Sequence, residues 1–224
     1  MAKNLYTIFL NGAYESDGDE YYRRLIERST SIAVDGGAGL FERLGLIPNI
    51  LLGDFDSGPD APEKLSGKCE IVSHPNEKNQ SDGEIAFALA AERGADEVLL
   101  CGYTGGTETD HQLGNLLILA LAVSLRGPGG GPIKATAVRP GERIWYIQDD
   151  TLELVGSAGD IISVLPLDPQ ITLTVTGLKY DANLLIVPRG STRPLRNELT
   201  GRGARITVLG AALVFHRRPA GPVE

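Results

Sequence analysis

Two aspartates, Asp54 and Asp56, stand one residue apart directly after the apolar run 50–52 and are bracketed by Gly53 and Ser57. In an extended chain, residues i and i+2 point to the same side, so both carboxylates face one way. At the end of a strand they can jointly hold Mg²⁺, a hard cation that binds one or two carboxylates together with phosphate oxygens and water. A solvated turn is the alternative explanation of an isolated Asp-x-Asp. The pattern favours an enzyme of phosphoryl or pyrophosphoryl transfer.

The segment 78–84 carries the next candidate residues and leads into an apolar helical pattern. Ser81 and Glu84 form a capping box, which predicts a helix start and places Asp82 in the first helical turn. The Lys78 ammonium precedes that helix and can neutralise a phosphate. Capping by itself also accounts for Ser81 and Glu84, and Asp82 can simply complement the helix dipole.

A glycine-rich segment, 102–111, lies between a predicted strand and a predicted helix. Gly105 and Gly106 let the backbone approach a phosphate closely, and a helix beginning near Asp110 has unpaired N–H groups that favour anions. His111 is either part of that anion site or an ordinary residue of the first turn. The spacing is neither that of a Walker P-loop nor that of a dinucleotide fingerprint.

An earlier segment has the same design, with Asp35 followed by Gly36 and Gly37 at the start of a helix that we predict to end at Leu44. Asp35 can accept a hydrogen bond from a ribose or a base, or it can cap the helix. Single glycine-rich turns are weak evidence, but their repetition after several strands points to one anion-binding region.

The composition excludes several classes of protein. The chain has 224 residues, 42% of them hydrophobic, which is enough for one large or two modest cores. Its 29 acidic and 21 basic residues give a formal charge of -8, which argues against a nucleic-acid partner. We expect Cys69 and Cys101 to be buried free thiols in a reducing cytoplasm. No apolar stretch approaches the roughly 20 residues of a membrane span, and residues 1–4 lack a signal-peptide pattern, so we expect a soluble protein with no membrane partner.

Periodicity predicts alternating strands and helices up to about residue 138, which is typical of a Rossmann-like α/β domain. Such a domain has a mostly parallel sheet with helices on both faces, and it binds ligands at the carboxyl ends of its strands. The candidate residues above all follow predicted strands or begin helices, so we expect them to converge on one rim. The predicted strands are 5–10, 31–34, 49–52, 69–73, 97–101 and 134–138.

The pattern changes after a predicted helix over 113–125 and the glycine- and proline-rich loop 126–132. Short alternating runs separated by turn residues then predict a small antiparallel β-sandwich or barrel. We therefore predict two domains, 1–138 and 139–224. The predicted strands of the second are 151–155, 161–165, 171–175, 184–187, 205–209 and 212–215.

These motifs, taken together, resemble those of the thiamine pyrophosphokinase family. The resemblance covers nearly the whole first domain in order and spacing, and the Gly-Asp-Phe-Asp-Ser of 53–57 is its most specific element. In the second domain, 176–180 and 197–198 also resemble the family's thiamine-binding domain. The segments of the first domain that carry the match are 34–38, 48–57, 78, 81–82, 105–106 and 110–115.

The resemblance implies a homodimer in which the ATP-binding α/β domain and the β-rich domain of the partner subunit enclose the site. The implied reaction is direct transfer of a pyrophosphoryl group from ATP to the hydroxyethyl oxygen of thiamine, giving thiamine diphosphate and AMP. The implied catalytic residues are Asp54, Asp56, Asp82 and Lys78, of which the three carboxylates hold Mg²⁺. The implied ATP-binding residues are Asp35, Gly36, Gly37, Ser57, Ser81, Gly105, Gly106, Asp110 and His111. The implied thiamine-binding residues are Asn115, Arg196, Asn197 and Glu198.

This chain departs from the family pattern at two places. Where many bacterial members have Gly-Gly-Arg-x-Asp-His, it has the longer 105–111 without an arginine, so a phosphate contact is lost unless Arg126 or Arg143 replaces it. Arg196 stands where the family has a serine before Asn-Glu. Two alternatives follow: a pyrophosphokinase for another hydroxylated heterocycle, and a non-catalytic regulatory protein that binds nucleotide or thiamine.

Overall fold

The chain divides into two compact units, Met1–Pro140 and Gly141–Glu224. The computed structural model describes residues 4–54, 67–73 and 79–219. The predicted fold class is confirmed at the level of a mixed α/β protein with a mostly parallel sheet and additional antiparallel strands. Within the described ranges, no helix is both long enough and apolar enough to cross a membrane.

The first unit contains six described strands in the order β6-β5-β1-β2-β3-β4, and each neighbouring pair is parallel. Aliphatic and β-branched residues dominate these strands, as expected where both faces of a sheet are covered. Their bounds are β1 (Leu5–Phe9), β2 (Thr30–Val34), β3 (Ile50–Gly53), β4 (Glu70–Ser73), β5 (Glu97–Cys101) and β6 (Lys134–Arg139).

The helices of this unit connect the strands, as crossovers between parallel neighbours require. Phe9 of β1 packs edge-to-face on Phe41 of the second helix, with ring centroids 5.1 Å apart, in a core that also buries Tyr22 and Leu25 of the first. The described helices are α1 (Asp19–Glu27), α2 (Ala38–Leu44), α3 (Asp82–Glu92), α4 (Thr109–Leu117) and α5 (Leu121–Ser124).

The single helix predicted over 113–125 is wrong in its bounds and its regularity. Helix α4 begins at Thr109, and a 3₁₀ turn at Ile118–Ala120 separates it from α5. Ile118 and Leu119 are buried, whereas α4 has no buried residue. The tighter turn lies where side chains enter the core, a tertiary effect that helical periodicity does not report.

The second unit is built on two long antiparallel strands. Strand β12 pairs with β7 over nearly its whole length, with β9 along its first part and with β8 along its last part. Residues on the inner side, including Val164, Ile206 and Val214, form one core cluster. The strands are β7 (Glu142–Val155), β8 (Ile161–Pro166), β9 (Gln170–Thr176), β10 (Ala182–Pro188), β11 (Asn197–Glu198) and β12 (Gly203–Arg217).

The two strands predicted at 205–209 and 212–215 are one strand, β12, with a register shift between Val208 and Ala211. Gly210 has φ +96°, so the residue that suggests a turn forms a bulge inside the strand. The Gly210 N–H donates to Asp149 Oδ1 at 2.7 Å, and the Ala211 N–H donates to Asp168 Oδ2 at 2.9 Å. Two carboxylates from distant positions therefore satisfy the backbone where the ladder is interrupted.

A buried polar pair in this unit lies near the end of β12. His216 Nε2 and Asp160 Oδ2 are 2.7 Å apart, and their side chains are only 6% and 5% exposed. The same Asp160 oxygen accepts the Ser157 N–H at 2.9 Å. The His216 ring stacks on Trp145, with centroids 6.4 Å apart and planes 12° from parallel. A Cβ at Gly156 would lie 2.6 Å from the carboxylate, so the pair is enclosed on that side as well.

Candidate functional site

The carboxyl ends of the parallel strands lie on one edge of the sheet, because neighbouring strands run in the same direction. Asn11 and Gly12 follow β1, Asp35 follows β2, Asp54 follows β3 and Gly102 follows β5. The chain adds β2, β3 and β4 on one side of β1 and then crosses to β5 on the other side. The loops after β1 and β5 therefore flank the place where open α/β sheets bind ligands.

The loops after β1 and β2 are packed against each other through glycines. A Cβ at Gly36 would overlap the Asn11 side chain, and one at Gly37 would overlap the carbonyl oxygen of Phe9. Asp35 has φ +45°, a left-handed conformation that an L residue adopts at a cost. Backbone strain of this kind is typical of functional sites. Asp35 lies at the end of β2 and begins a 3₁₀ turn, Asp35–Gly37, that leads into α2.

The start of α3 has the cap that its sequence predicts. The Glu84 N–H donates to Ser81 Oγ at 3.2 Å, which confirms Ser81 as the N-cap and places Asp82 in the first turn. The Glu84 carboxylate accepts a 2.8 Å hydrogen bond from the Gln80 side chain. A Cβ at Gly83 would lie 3.0 Å from Ile118, so the first turn of α3 packs closely on the segment that follows α4.

The starts of α3 and α4 line a common open cavity of about 410 Å³. Four of its residues, Ser81, Asp110, His111 and Asn115, are candidates from the sequence, so the structure brings these together. N–H groups at a helix start attract anions, and polar side chains can orient them. The cavity therefore offers helix-start N–H donors together with the Glu84 and Asp110 carboxylates to a polar ligand group. Its lining comprises Ser81, Glu84, Asp110, His111, Gly114, Asn115, Leu117, Ile118 and Leu121.

The loop that precedes α4 does not provide the missing arginine. Glu108 occupies the N-cap position, and its carboxylate lies 3.8 Å from His111 Nε2, with both side chains about two-thirds exposed (67% and 69%). Arg126 follows α5 and precedes β6, so it belongs to the opposite edge of the sheet, where its guanidinium donates to the carbonyls of Val123 and Leu125. Arg126 is therefore wrongly placed to replace the family arginine.

Three predicted site residues, Asp56, Ser57 and Lys78, lie outside the described residues. Asp54 lies directly after β3 and Asp82 in the first turn of α3, and both are partly exposed. Over residues 4–54, 67–73 and 79–219, no group of three or more His, Cys, Asp or Glu side chains is arranged to hold a metal. The three-carboxylate metal site therefore stays a prediction.

The thiamine-binding candidates of the second unit occupy three different environments. The Asn197 side chain accepts the Tyr180 N–H at 3.1 Å and donates to the Tyr180 carbonyl at 2.8 Å. Glu198 is paired with Lys179 at 3.4 Å, and both side chains are about half exposed. Arg196 has φ +59°, and its N–H donates to Ser163 Oγ at 3.0 Å.

A cavity of about 520 Å³ opens beside these residues and has an apolar interior with a polar edge. Arg196 and Asn197 line it, together with Tyr180 of the segment 176–180 and with Asp181 and Arg193, which no sequence motif marks. Tyr180 is 69% exposed, so its large ring is available to pack against a ligand. The cavity's apolar lining includes Ile162, Val164, Leu173, Val175, Leu178 and Leu185.

A set of contacts that supports the loop after β1 is not marked by any sequence motif. Tyr22 donates a 2.7 Å hydrogen bond to Glu15, and Arg139 at the end of β6 lies 3.6 Å from the same carboxylate. Tyr14 donates to the carbonyl oxygen of Leu10 at 2.6 Å. These residues are scattered in sequence, so no local motif identifies them.

Comparison with known proteins relates the first unit to a described family. The family model "Thiamin pyrophosphokinase, catalytic domain" matches residues 22–126, a range that includes the starts of α3 and α4 and the loops after β2, β3 and β5. Thiamine pyrophosphokinase from Bacillus subtilis (strain 168) is 30% identical over 177 residues, which are 77% of this chain and 79% of the relative.

The fold is similar to that of solved structures over almost the whole chain. The crystal structure of thiamine pyrophosphokinase from Bacillus subtilis matches with a TM-score of 0.79 and 26% identity, covering 97% of this chain and 100% of that one. Thiamin pyrophosphokinase from Candida albicans matches with a TM-score of 0.80, covering 97% and 90%, but at 14% identity it supports the fold alone.

Proposed function

Because the chain belongs to the thiamine pyrophosphokinase family, we propose that it transfers the pyrophosphoryl group of ATP to the hydroxyl of thiamine, giving thiamine diphosphate and AMP. The observation that carries this proposal is the 30% identity to a thiamine pyrophosphokinase over 79% of that protein's length. The cavity between the starts of α3 and α4 supports it, since it combines two helix N-termini with polar side chains.

We assign ATP to the first unit, with the domain boundaries 1–138 and 139–224, and thiamine to the second unit. The finer descriptions, a Rossmann-like first domain and a β-sandwich or barrel second domain, are part of this proposal. The protein is a cytoplasmic homodimer in which the partner's β-rich domain completes the site. Asn115, Arg196, Asn197 and Glu198 bind thiamine.

The polyphosphate of ATP lies along the rim of the parallel sheet. Its proposed ligands come from the loops after β2 and β5 and from the starts of α3 and α4, where backbone N–H groups are available to anions. These ligands are Asp35, Gly36, Gly37, Ser81, Gly105, Gly106, Asp110 and His111. Ser57, which follows β3 in the sequence and lies outside the described residues, is a further proposed ligand.

In the reaction, the hydroxyethyl oxygen of thiamine attacks the β-phosphorus of ATP and forms a new P–O bond. The bond between the β-phosphorus and the oxygen that bridges to the α-phosphorus breaks, and AMP leaves with that oxygen. The thiamine hydroxyl proton passes to a carboxylate, for which Asp54, Asp56 and Asp82 are the candidates. The Lys78 ammonium neutralises charge on the transferred group. Positioning and charge neutralisation provide most of the catalysis in phosphoryl transfers.

Asp54 and Asp82 have the chemistry of a Mg²⁺ site, because each offers carboxylate oxygens at the rim of the sheet. Asp56 is the proposed third ligand. When bound, Mg²⁺ offsets the negative charge of the polyphosphate. The chain's own contribution is to hold Asp54 at the end of a strand and Asp82 in the first turn of a helix.

The decisive experiment is mass-resolved product analysis of the protein with thiamine, ATP and Mg²⁺. We expect thiamine diphosphate and AMP in equal amounts, without ADP. Formation of AMP only with a different alcohol would contradict the thiamine assignment. Binding of ATP and thiamine in calorimetry without any product would instead indicate a regulatory protein. Sedimentation velocity of the same sample tests the dimer.

A further inference from the structure

The loop that follows β1 contains a tyrosine with no part in the proposed chemistry. The Tyr14 hydroxyl donates a 2.6 Å hydrogen bond to the Leu10 carbonyl oxygen, which also accepts the Gly12 N–H at 3.0 Å. The Tyr14 ring packs edge-to-face on Tyr22, with centroids 5.2 Å apart. Arg43 donates to the Tyr14 carbonyl at 3.1 Å. Both the side chain and the backbone of Tyr14 are therefore held in place.

The hydrogen bond between Tyr14 and Leu10 lies directly against Gly102, the first residue after β5. A Cβ at Gly102 would overlap the Tyr14 hydroxyl and lie 2.5 Å from the Leu10 oxygen, and Gly102 has φ +67°. The Ala13 N–H donates to the Thr104 carbonyl at 2.7 Å. The loop after β1 thus packs against the loop after β5 at Gly102 and Thr104.

The packing between the loops after β1 and β5 extends to Gly105, one of the two glycines of this loop that are assigned to ATP. Gly105 has φ +93°, and a Cβ there would lie 2.6 Å from the Ala13 nitrogen. Gly106 follows at φ +96°, and a Cβ there would meet no atom of the described residues within 4 Å. The inner side of this loop is therefore packed against the loop after β1, while the Cβ position of Gly106 is left open by the described part of the chain.

Burial of the Tyr14 side chain raises the pKa of its hydroxyl well above the ordinary value for tyrosine. The hydroxyl consequently keeps its proton and remains a donor throughout the pH range in which enzymes are assayed. The Leu10 carbonyl retains its bond from Gly12 when the hydroxyl is removed, so its loss loosens the contact without leaving that oxygen unpaired.

We propose that Tyr14 is a positioning residue for nucleotide binding, which acts by holding the loop 102–106 in place through its hydrogen bond to Leu10. This role rests on the proposed function, because it takes Gly105 and Gly106 as ligands of ATP. The proposed effect of Tyr14 on ATP passes through this loop.

The test compares Tyr14→Phe with Tyr22→Phe as a matched control. Each variant loses one phenolic hydroxyl with a short hydrogen bond, 2.6 Å to Leu10 for Tyr14 and 2.7 Å to Glu15 for Tyr22. Only the first bond contacts the loop after β5. We expect Tyr14→Phe to raise the KM for ATP about 3- to 10-fold, the range that corresponds to one lost hydrogen bond. The KM for thiamine stays at the wild-type value.

Amide hydrogen exchange provides a second measurement that does not depend on turnover. We expect the Ala13 amide to exchange faster in Tyr14→Phe than in wild type or Tyr22→Phe, because its bond to Thr104 opens more often. Equal changes in both variants, or unchanged ATP affinity and Ala13 exchange in Tyr14→Phe, would overturn the positioning role. If the wild type binds ATP but makes no thiamine diphosphate, the proposed function fails, while ATP affinity and Ala13 exchange still decide the role of Tyr14.

Discussion

Replacing Asp160 with asparagine tests how much the buried pair of the second unit contributes to its stability. Asp160 Oδ2 accepts two hydrogen bonds, from the Ser157 N–H at 2.9 Å and from His216 at 2.7 Å. Hydrogen bonds to a charged group contribute about 1.5–3 kcal/mol, and neutral ones about 0.5–1.5 kcal/mol. Asparagine keeps the shape but not the charge, so we expect a loss of about 2–3 kcal/mol from the two bonds together.

Fluorescence of Trp145 is a suitable assay, because it is the only tryptophan of the chain and stacks on His216. For a unit of this size, the expected loss lowers Tm by about 10–20 °C. The control is Glu153→Gln, which breaks the pair between Glu153 and Arg205, whose side chains are 68% and 64% exposed. Exposed pairs contribute about 0–1 kcal/mol, so the control should melt close to wild type.

The pH dependence of stability provides a second check on the contribution of Asp160. Burial tends to raise the pKa of Asp160, but the hydrogen bonds from Ser157 and His216 and the nearby Arg218 charge outweigh it, so the pKa is lowered. A carboxyl whose pKa is lower in the folded than in the unfolded state stabilises the folded protein at pH values above its unfolded pKa of about 3.9. This stabilisation is lost as the pH falls through the folded pKa. Wild type should therefore lose its advantage over Asp160→Asn in acid. Equal stability of the two proteins at pH 7 would refute the reasoning.

Three further predictions concern the site and its supports. Asp54→Asn should lower turnover at least ~10²-fold if the carboxylate stabilises the transition state by about 3 kcal/mol, whereas the exposed control Asp17→Asn should not. Steady-state kinetics decides, and near-normal turnover of Asp54→Asn would contradict the metal role. Ser81→Ala should cost about 1 kcal/mol of stability in chemical denaturation, because the N-cap bond is lost, and Ser81→Asp should restore it. Asn197→Ala removes two bonds to the Tyr180 backbone and should raise the KM for thiamine but not for ATP, and equal effects on both would refute this local role.

The local signals of the sequence were reliable where a short-range interaction decides the structure. The capping box predicted the start of α3 because Ser81 needs only its neighbours to accept the Glu84 N–H. The alternation of apolar runs predicted the six strands of the parallel sheet to within a few residues.

Long-range interactions account for the errors. The gap between the predicted strands 205–209 and 212–215 suggests a turn at Gly210, because its partners, Asp149 and Asp168, are distant in sequence and close only in the folded unit. The glycines at 36 and 105 suggest close approach to a phosphate, which stays a prediction, and they also pack against Asn11 and Ala13 of another loop. Close packing inside the protein and close approach of a ligand both favour glycine, so a sequence pattern does not distinguish the two roles.

The sequence by itself determined the fold class, the family and the order of the candidate segments, because these depend on periodicity, spacing and residue type. Only the tertiary structure decided which segments meet. It brought Ser81 together with Asp110, His111 and Asn115 at one cavity, and it separated Arg126 from that edge of the sheet. The physical reason is that parallel strands place their carboxyl ends side by side whatever their separation in the chain, so proximity follows from strand order.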